Sequence, residues 1–256
     1  MDIECKLMFQ TIDKFSWDAP IDEKYRPMIL KALAQMAEVR RVKWPRCIIP
    51  PEARDPLNIS LIACSDGAVG AAGAGVWARV ELKDGTHHVQ LVIGKSELSK
   101  QTVPRNELLG TALGVNLLTR VKGLSGFNAI ALVTDSEVTV YWLMDKKQVH
   151  KRYVFNRVQH VTTFLPEEAV IRHVKGEENP ADPVTKRGQE VEDCIVGSPW
   201  FSGYPWMKLP DDQLLAHLTS FEEMQLKSGA AEREQAIREE VYKEITPEGG
   251  KKRTVT

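Results

Sequence analysis

Four carboxylates stand where the sequence punctuates its elements. Asp66 follows the alternating apolar run Leu57 to Cys64 and precedes Gly67, and Glu107 lies in the first turn of a helix opened by Pro104. Asp135 closes a short, wholly apolar run, Ala129 to Val133, and Asp182 lies in the first turn of a helix opened by Asn179-Pro180-Ala181. Singly, each has an ordinary structural role: a turn residue, an acid favoured by a helix dipole, an N-cap. Together they are the donor set of a site for hard divalent cations. Converging carboxylates repel unless cations lie between them, and two ions about 3.5–4 Å apart are a recurring catalyst of phosphodiester cleavage. One ion activates a water and the other steadies the leaving oxygen. No Cys/His ligand set competes, so two Mg²⁺ or Mn²⁺ ions are expected in preference to zinc.

These four residues need a scaffold that brings them to one place. Leu57 to Cys64 reads as a strand, Gly75 to Leu82 as a second, Asp84-Gly85 as a hairpin turn, and His88 to Ile93 as a third. A helix runs from Pro104 to about Val121. Ala129 to Val133 reads as a buried central strand, Val138 to Met144 and Val154 to Leu165 as helices, and Ala169 to Val174 as a fifth strand. The order predicts an α/β fold with a five-stranded mixed sheet, its later strands parallel to the first and helices on both faces. In such sheets ligands collect beyond the carboxyl ends of parallel strands, where Asp66 and Asp135 belong if their strands are neighbours. Gly110, Thr111 and Gly114 share a helical face with Glu107, and a face of small residues lets the helix press close to the sheet.

Composition narrows the class. The chain has 256 residues, 34 Lys+Arg against 35 Asp+Glu, and 43% hydrophobic residues. That balance excludes intrinsic disorder and a surface coated with basic patches; any nucleic-acid contact must be local. Four scattered cysteines (Cys5, Cys47, Cys64, Cys194) give neither a zinc pattern nor a disulfide framework. No apolar run approaches a membrane span and no signal peptide is readable, so the expected location is the cytoplasm or the nucleus. Three regions are expected. Residues 1–56 hold an amphipathic helix, about Arg26 to Val42, and a linker marked by Pro45, Pro50, Pro51 and Pro56. Residues 57–190 carry the carboxylates. Residues 191–256, with 8 bases and 12 acids, read as an aromatic segment, one exposed charged helix and a flexible tail.

The local words point to a family. Cys64-Ser65-Asp66-Gly67-Ala68, Val103-Pro104-Arg105-Asn106-Glu107-Leu108, Thr134-Asp135-Ser136 with Trp142, Asn156-Arg157-Val158, and His173-Val174-Lys175-Gly176 through Asn179-Pro180-Ala181-Asp182 resemble the RNase H domain of Pao/BEL-type LTR retrotransposon polyproteins. Upstream, Phe15 to Pro20 and the following helix are similar to the connection between reverse transcriptase and RNase H, and Pro199 to Trp206 to the aromatic segment behind the domain. The resemblance implies a ribonuclease H-like fold over residues 57–190. It implies metal-ligand and catalytic roles for Asp66, Glu107, Asp135 and Asp182, and the RNA strand of an RNA–DNA hybrid as substrate. It also implies a reverse transcriptase domain as partner for residues 1–56. One departure stands out. Many RNase H enzymes have a histidine after the glycine of the loop before the last Asp, thought to assist product release. Here Glu177 follows Gly176, which implies slower turnover, and His173 reads as a packed strand residue. The chain shows no polymerase, integrase or protease word, as expected of an excised polyprotein piece or a stand-alone descendant.

Arg105, Lys146, Lys147, Lys151, Arg152 and Arg157, with His150, His160, Tyr153 and Phe155 interleaved, form the candidate surface for hybrid phosphates; the alternative is a solvated helix face. Two other classes compete with a hybrid nuclease: a domesticated, non-catalytic RNase H-like module binding nucleic acid or protein, and a structural connector for a polymerase domain. The connector's mark would be an uncovered apolar face on residues 26–42.

Overall fold

The structure, a computed structural model, describes residues 2–16, 18–40, 42–45, 47–145, 151–186 and 197–226. Its centre is one five-stranded sheet: β1 Ile59–Ala68, β2 Ala71–Glu81, β3 His87–Leu98, β4 Asn128–Thr134 and β5 Val170–His173, ordered β3-β2-β1-β4-β5. β1, β2 and β3 form an antiparallel meander, while β4 runs parallel to both β1 and β5. This is the mixed sheet that the order of elements predicts. The boundaries differ in one instructive place. β1 does not stop at Cys64 but runs through Asp66 and Gly67 to Ala68, so Asp66 is a strand residue and the turn falls at Val69-Gly70. Small residues hid this continuation: β2 begins at Ala71-Ala72-Gly73-Ala74, which carries little strand propensity. Those positions are small because both faces above them are covered.

Alternation along β1 assigns the faces. Ile59, Leu61 and Ala63 join a core with Leu108, Val115 and Leu118 of α3 (Val103–Ser125), Val140 and Trp142 of α4 (Glu137–Met144), and Val154 and Val158 of α5 (Arg152–Phe164). Ile62 and Cys64 look the other way, into a core with Trp77, Val133, Trp200, Trp206, Met207, Leu214 and Leu218. That second face is covered by α6 (Asp182–Thr185), α7 (Pro199–Ser202), a 3-10 turn at Pro205–Lys208 and α8 (Asp211–His217). The described part of residues 191–256 thus contributes Trp200, Trp206, Met207, Leu214 and Leu218, five of the thirteen buried residues of this second core. A final helix, α9 (Phe221–Leu226), buries Met224 on the α3 side. The expected charged helix and tail fall on residues outside the described ones. Ahead of the sheet, α2 (Arg26–Val39) matches the predicted amphipathic stretch, and α1 (Asp2–Ile12), not foreseen, buries Ile3 and Met8. Among the described residues no helix is long and apolar enough to cross a membrane.

Two devices hold the C-terminal segment to the sheet. Gly75 and Gly94 face each other across β2 and β3, and a Cβ on either would come within about 3 Å of the Trp200 ring (3.1 and 2.7 Å), so Trp200 lies flat against bare backbone. Its carbonyl accepts the Trp77 indole N–H at 2.9 Å. The second device is Arg79, 3% exposed, which donates to Met207 O (3.0 Å), Leu209 O (2.5 Å) and the Asp211 carboxylate (2.5 Å). Replacing it by Met keeps most of the volume but leaves two carbonyls without their donor. Arg79→Met is expected to cost about 1–3 kcal/mol in urea unfolding; a variant within 0.5 kcal/mol (~) of the parent would show that the guanidinium is dispensable.

Candidate functional site

Asp66 continues the side-chain parity of Ile62 and Cys64, and Asp135 that of Ala131 and Val133, so both point to the face that α6 covers. Ser65 pairs with Thr134 across β1 and β4, which puts the two aspartates on neighbouring parallel strands at their carboxyl ends. Asp182 is the first residue of α6, packed on the same face. Glu107 arrives from the other side of the sheet, and it lies one turn into α3 rather than in the first turn, because the helix begins at Val103. Its approach depends on missing side chains. A Cβ on Gly67 would stand 2.1 Å from the Glu107 amide nitrogen, and one on Gly110 would stand 2.4 Å from Asp66 O. Those distances allow only glycine. The predicted close helix–sheet contact is therefore present, and Ser65 Oγ and Thr111 Oγ1 meet inside it at 3.1 Å.

Each carboxylate has a neighbour that orients it. The Ser136 hydroxyl donates to Glu107 and also caps α4, accepting from Thr139 N at 3.1 Å. The Thr185 hydroxyl donates to Asp66, and Lys186 pairs with Asp182 at 2.5 Å, one turn along. The Asn179 amide favours the charged form of Asp135, and the His173 ring meets the Asp135 carbonyl at 3.1 Å. Burial pushes the Asp66 carboxyl up to about 7; the Thr185 bond opposes this, and the charges of Asp135 and Asp182 add to it. Burial likewise raises Asp135, against the Asn179 amide, with Asp182 again contributing. The charge of Asp182 thus reaches both Asp66 and Asp135, and that of Asp135 reaches Asp66. Among the described residues no group of three or more His, Cys, Asp or Glu side chains is already arranged around a single ion point. The hydroxyls and the lysine occupy the carboxylate oxygens instead.

Of the basic candidates, Lys151, Arg152, Arg157 and Arg105 lie among the described residues; Lys146, Lys147 and His150 lie outside them. Tyr153 is half-buried beneath Arg157, whose guanidinium carbon is 3.5 Å from the ring centroid, and Arg105 approaches the same ring at 5.2 Å. The stack joins the start of α5 to the start of α3, two residues from Glu107. No carboxylate among the described residues pairs with Arg157. His160, half-exposed, meets the exposed Asn116 at Oδ1 (2.7 Å) and packs on Phe164. Phe155 stays 49% exposed. The partners Ser136, Thr185 and Asn179 carried no role in the sequence. The spacings were visible, three residues from Asp182 in one case and adjacency to Asp135 in another, but hydroxyls and amides at such positions are common.

Comparison with solved structures gives several RNase H proteins at low identity. The N-terminal RNase H domain from Mycobacterium tuberculosis is 17% identical, covering 50% of this chain and 91% of that one at a TM-score of 0.35. RNase H1 from Halobacterium salinarum NRC-1 is 15% identical, covering 47% and 87% at 0.33. LC11-RNase H1, solved in complex with an RNA/DNA hybrid, is 16% identical, covering 49% and 92% at 0.34. No curated protein matches the chain. Residues 1–136 match a family model described as the Pao retrotransposon-like RNaseH-like domain.

Proposed function

The chain belongs to the Pao retrotransposon-like RNaseH-like domain family, and from that premise we propose that it is a metal-dependent endonuclease cutting the RNA strand of RNA–DNA hybrids. The observation that carries the reading is the placement of Asp66, Asp135 and Asp182 on one sheet face, near enough for the charges of Asp135 and Asp182 to raise the Asp66 carboxyl, with Glu107 brought in by Gly67 and Gly110. The donor set is made of carboxylate oxygens alone, which suits Mg²⁺ or Mn²⁺. Asp66, Glu107, Asp135 and Asp182 would hold the ions, which when bound supply a deprotonated water and charge to steady the leaving oxygen. The chain's own residues fix the geometry around them. Ser136 orients Glu107, Thr185 orients Asp66, the Asn179 amide favours the charged form of Asp135, and the lysine on Asp182 must give way for that carboxylate to serve an ion.

The test is incubation of a labelled RNA–DNA hybrid with Mg²⁺ or Mn²⁺, beside RNA–RNA and DNA–DNA duplexes. Selective, ion-dependent loss of the RNA strand supports the reading; an inert chain that still binds the hybrid would favour the non-catalytic module.

For the substrate, Arg157 and Arg105 on Tyr153, with Lys151 and Arg152 beside them, supply cations to backbone phosphates. Neutralising Lys151 and Arg152 together is expected to weaken hybrid binding and flatten its salt dependence. Each lost phosphate contact removes about 0.7–0.9 from the log–log slope. An unchanged slope would make this surface a solvated helix face. A second reading has one specific support. Leu30 and Leu33 on α2 are 56% and 50% exposed, the uncovered face expected of a connector. We assign that face to a reverse transcriptase domain of the same polyprotein type, which would act alongside the nuclease rather than replace it.

A further inference from the structure

We propose that the segment from Pro199 to Leu226 is a positioning element of the carboxylate site, with Trp206 its contact and Asn179 the buried amide through which it acts. The inference rests on the nuclease reading for its consequence and on geometry alone for its existence.

The stretch from Val174 to Ala181 connects β5 to α6 and therefore sets where Asp182 stands relative to Asp135. It lies directly over the site: a Cβ on Gly176 would meet Asp135 Oδ2 at 3.3 Å. Asn179, fully buried, is its inner anchor. Its Nδ2 donates to Ser65 O at 3.0 Å, its Oδ1 accepts from Ala181 N at 3.0 Å, and its amide favours the charged form of Asp135. One amide thus ties β1 to the start of α6, beside the residue after β4. The neighbouring residue, Glu178, is held from outside. The Trp206 indole N–H donates to Glu178 O at 3.0 Å, and His217, stacked on the Trp206 ring, faces the Glu178 carboxylate at 3.4 Å. The strand leading into the loop is gripped as well. His173 and Thr219 exchange both backbone hydrogen bonds at 2.9 Å, giving β5 a partner on its open edge. His173 is the residue whose ring meets the Asp135 carbonyl.

A segment that only covered apolar surface would need none of these polar contacts. Trp206, Thr219 and His217 instead touch the loop and strand that carry Asn179 and His173; His173 meets the Asp135 carbonyl, and the loop that Asn179 anchors lies against the Asp135 carboxylate at Gly176. Trp206 is accordingly a positioning residue: it meets no carboxylate, and its effect on the site passes through Glu178 and Asn179.

The experiment compares two variants of the full chain, Trp206→Phe and Leu214→Ala. Leu214 is buried in the same core and contacts neither the loop nor β5 by hydrogen bond, so it reports lost stability alone. Trp206→Phe keeps an aromatic ring and removes the indole donor. Hydrogen exchange across residues 176–182, read by mass spectrometry below the melting range, should accelerate several-fold in Trp206→Phe and stay at the parental rate in Leu214→Ala. The Mn²⁺ concentration needed for half-saturation, read by electron paramagnetic resonance, should rise in Trp206→Phe alone. The rise should be less than the roughly 10–100-fold seen when a group bonded directly to a ligand is lost. Equal exchange in the two variants, or an unchanged half-saturation in Trp206→Phe where the parent binds Mn²⁺, would overturn the positioning role. A parent that binds no Mn²⁺ would instead overturn the metal reading, and exchange would still decide whether the segment positions the loop.

Discussion

Asp135→Asn is expected to lower cleavage of the RNA strand by roughly 10²–10³-fold while leaving the fold intact, since groups placed against charge in a transition state are commonly worth that much. The substitution changes charge and almost nothing else. Asparagine has the same shape, and its backbone carbonyl still meets the His173 ring. Asp135 sits on a side chain's parity with buried Ala131 and Val133, so there is no room for a large rearrangement to hide the effect. The loss should fall on kcat, with KM for the hybrid near the parental value, because the basic surface on α5 is untouched. Wild-type turnover in this variant would remove Asp135 from the site and leave the convergence of acids without a catalytic meaning.

The parts of this protein legible in its sequence are those where a local rule and the tertiary structure agree. The wholly apolar run before Asp135 is a strand because both of its faces are buried, and the small residues after Glu107 do bring α3 onto β1. Pro104 opens α3 as read, although Val103 starts it, which moved Glu107 back by a turn. Where the rules disagreed, the tertiary structure won. Ser65-Asp66-Gly67 has the chemistry of a turn, yet it is the last stretch of β1, because Gly67 is needed for the backbone of α3 to pass. Gly94 weakens its strand locally and is explained by Trp200, more than a hundred residues later, while Gly75 makes room for both Trp77 and Trp200. The aromatic segment was recognisable as a word and not as the cover of a second core. Its burial depends on partners spread over β2 and β3 that no local window contains. The orienting hydroxyls and amide, Ser136, Thr185 and Asn179, were hidden for the same reason.

Asp66 gives the ion-free protein a stability that falls as the pH rises. Its carboxyl is ordinarily half-protonated near 3.8 and is pushed up to about 7 in the folded chain, by burial first and by the charges of Asp135 and Asp182 after it. Between those values the folded state binds more protons than the unfolded one, so stability is lost with each pH increment through that window. Below about 4 the penalty is absent, and above about 7 it is complete. At about 1.4 kcal/mol for each unit, the ceiling is about 4 kcal/mol. Asp135, raised in the same sense, adds to the trend, while His87, held below its ordinary value by burial, pulls the other way. Asp66→Asn isolates the contribution: it removes the charge, and its side-chain oxygen still accepts from Thr185. Melts in EDTA from pH 4 to pH 8 should show a falling Tm for the parent and a flatter profile for the variant, with the variant the more stable of the two at pH 8. Saturating Mg²⁺ or Mn²⁺ should then raise the parental Tm at pH 8, by about 2.7 kcal/mol of stabilisation at a hundredfold excess over Kd, and raise the variant less. Carboxylates with separate structural roles predict the reverse, with Asp66→Asn neutral or destabilising and the ions indifferent. A parent whose Tm in EDTA is level across this range, paired with a variant no more stable at pH 8, would mean that the aspartates do not share a charged site.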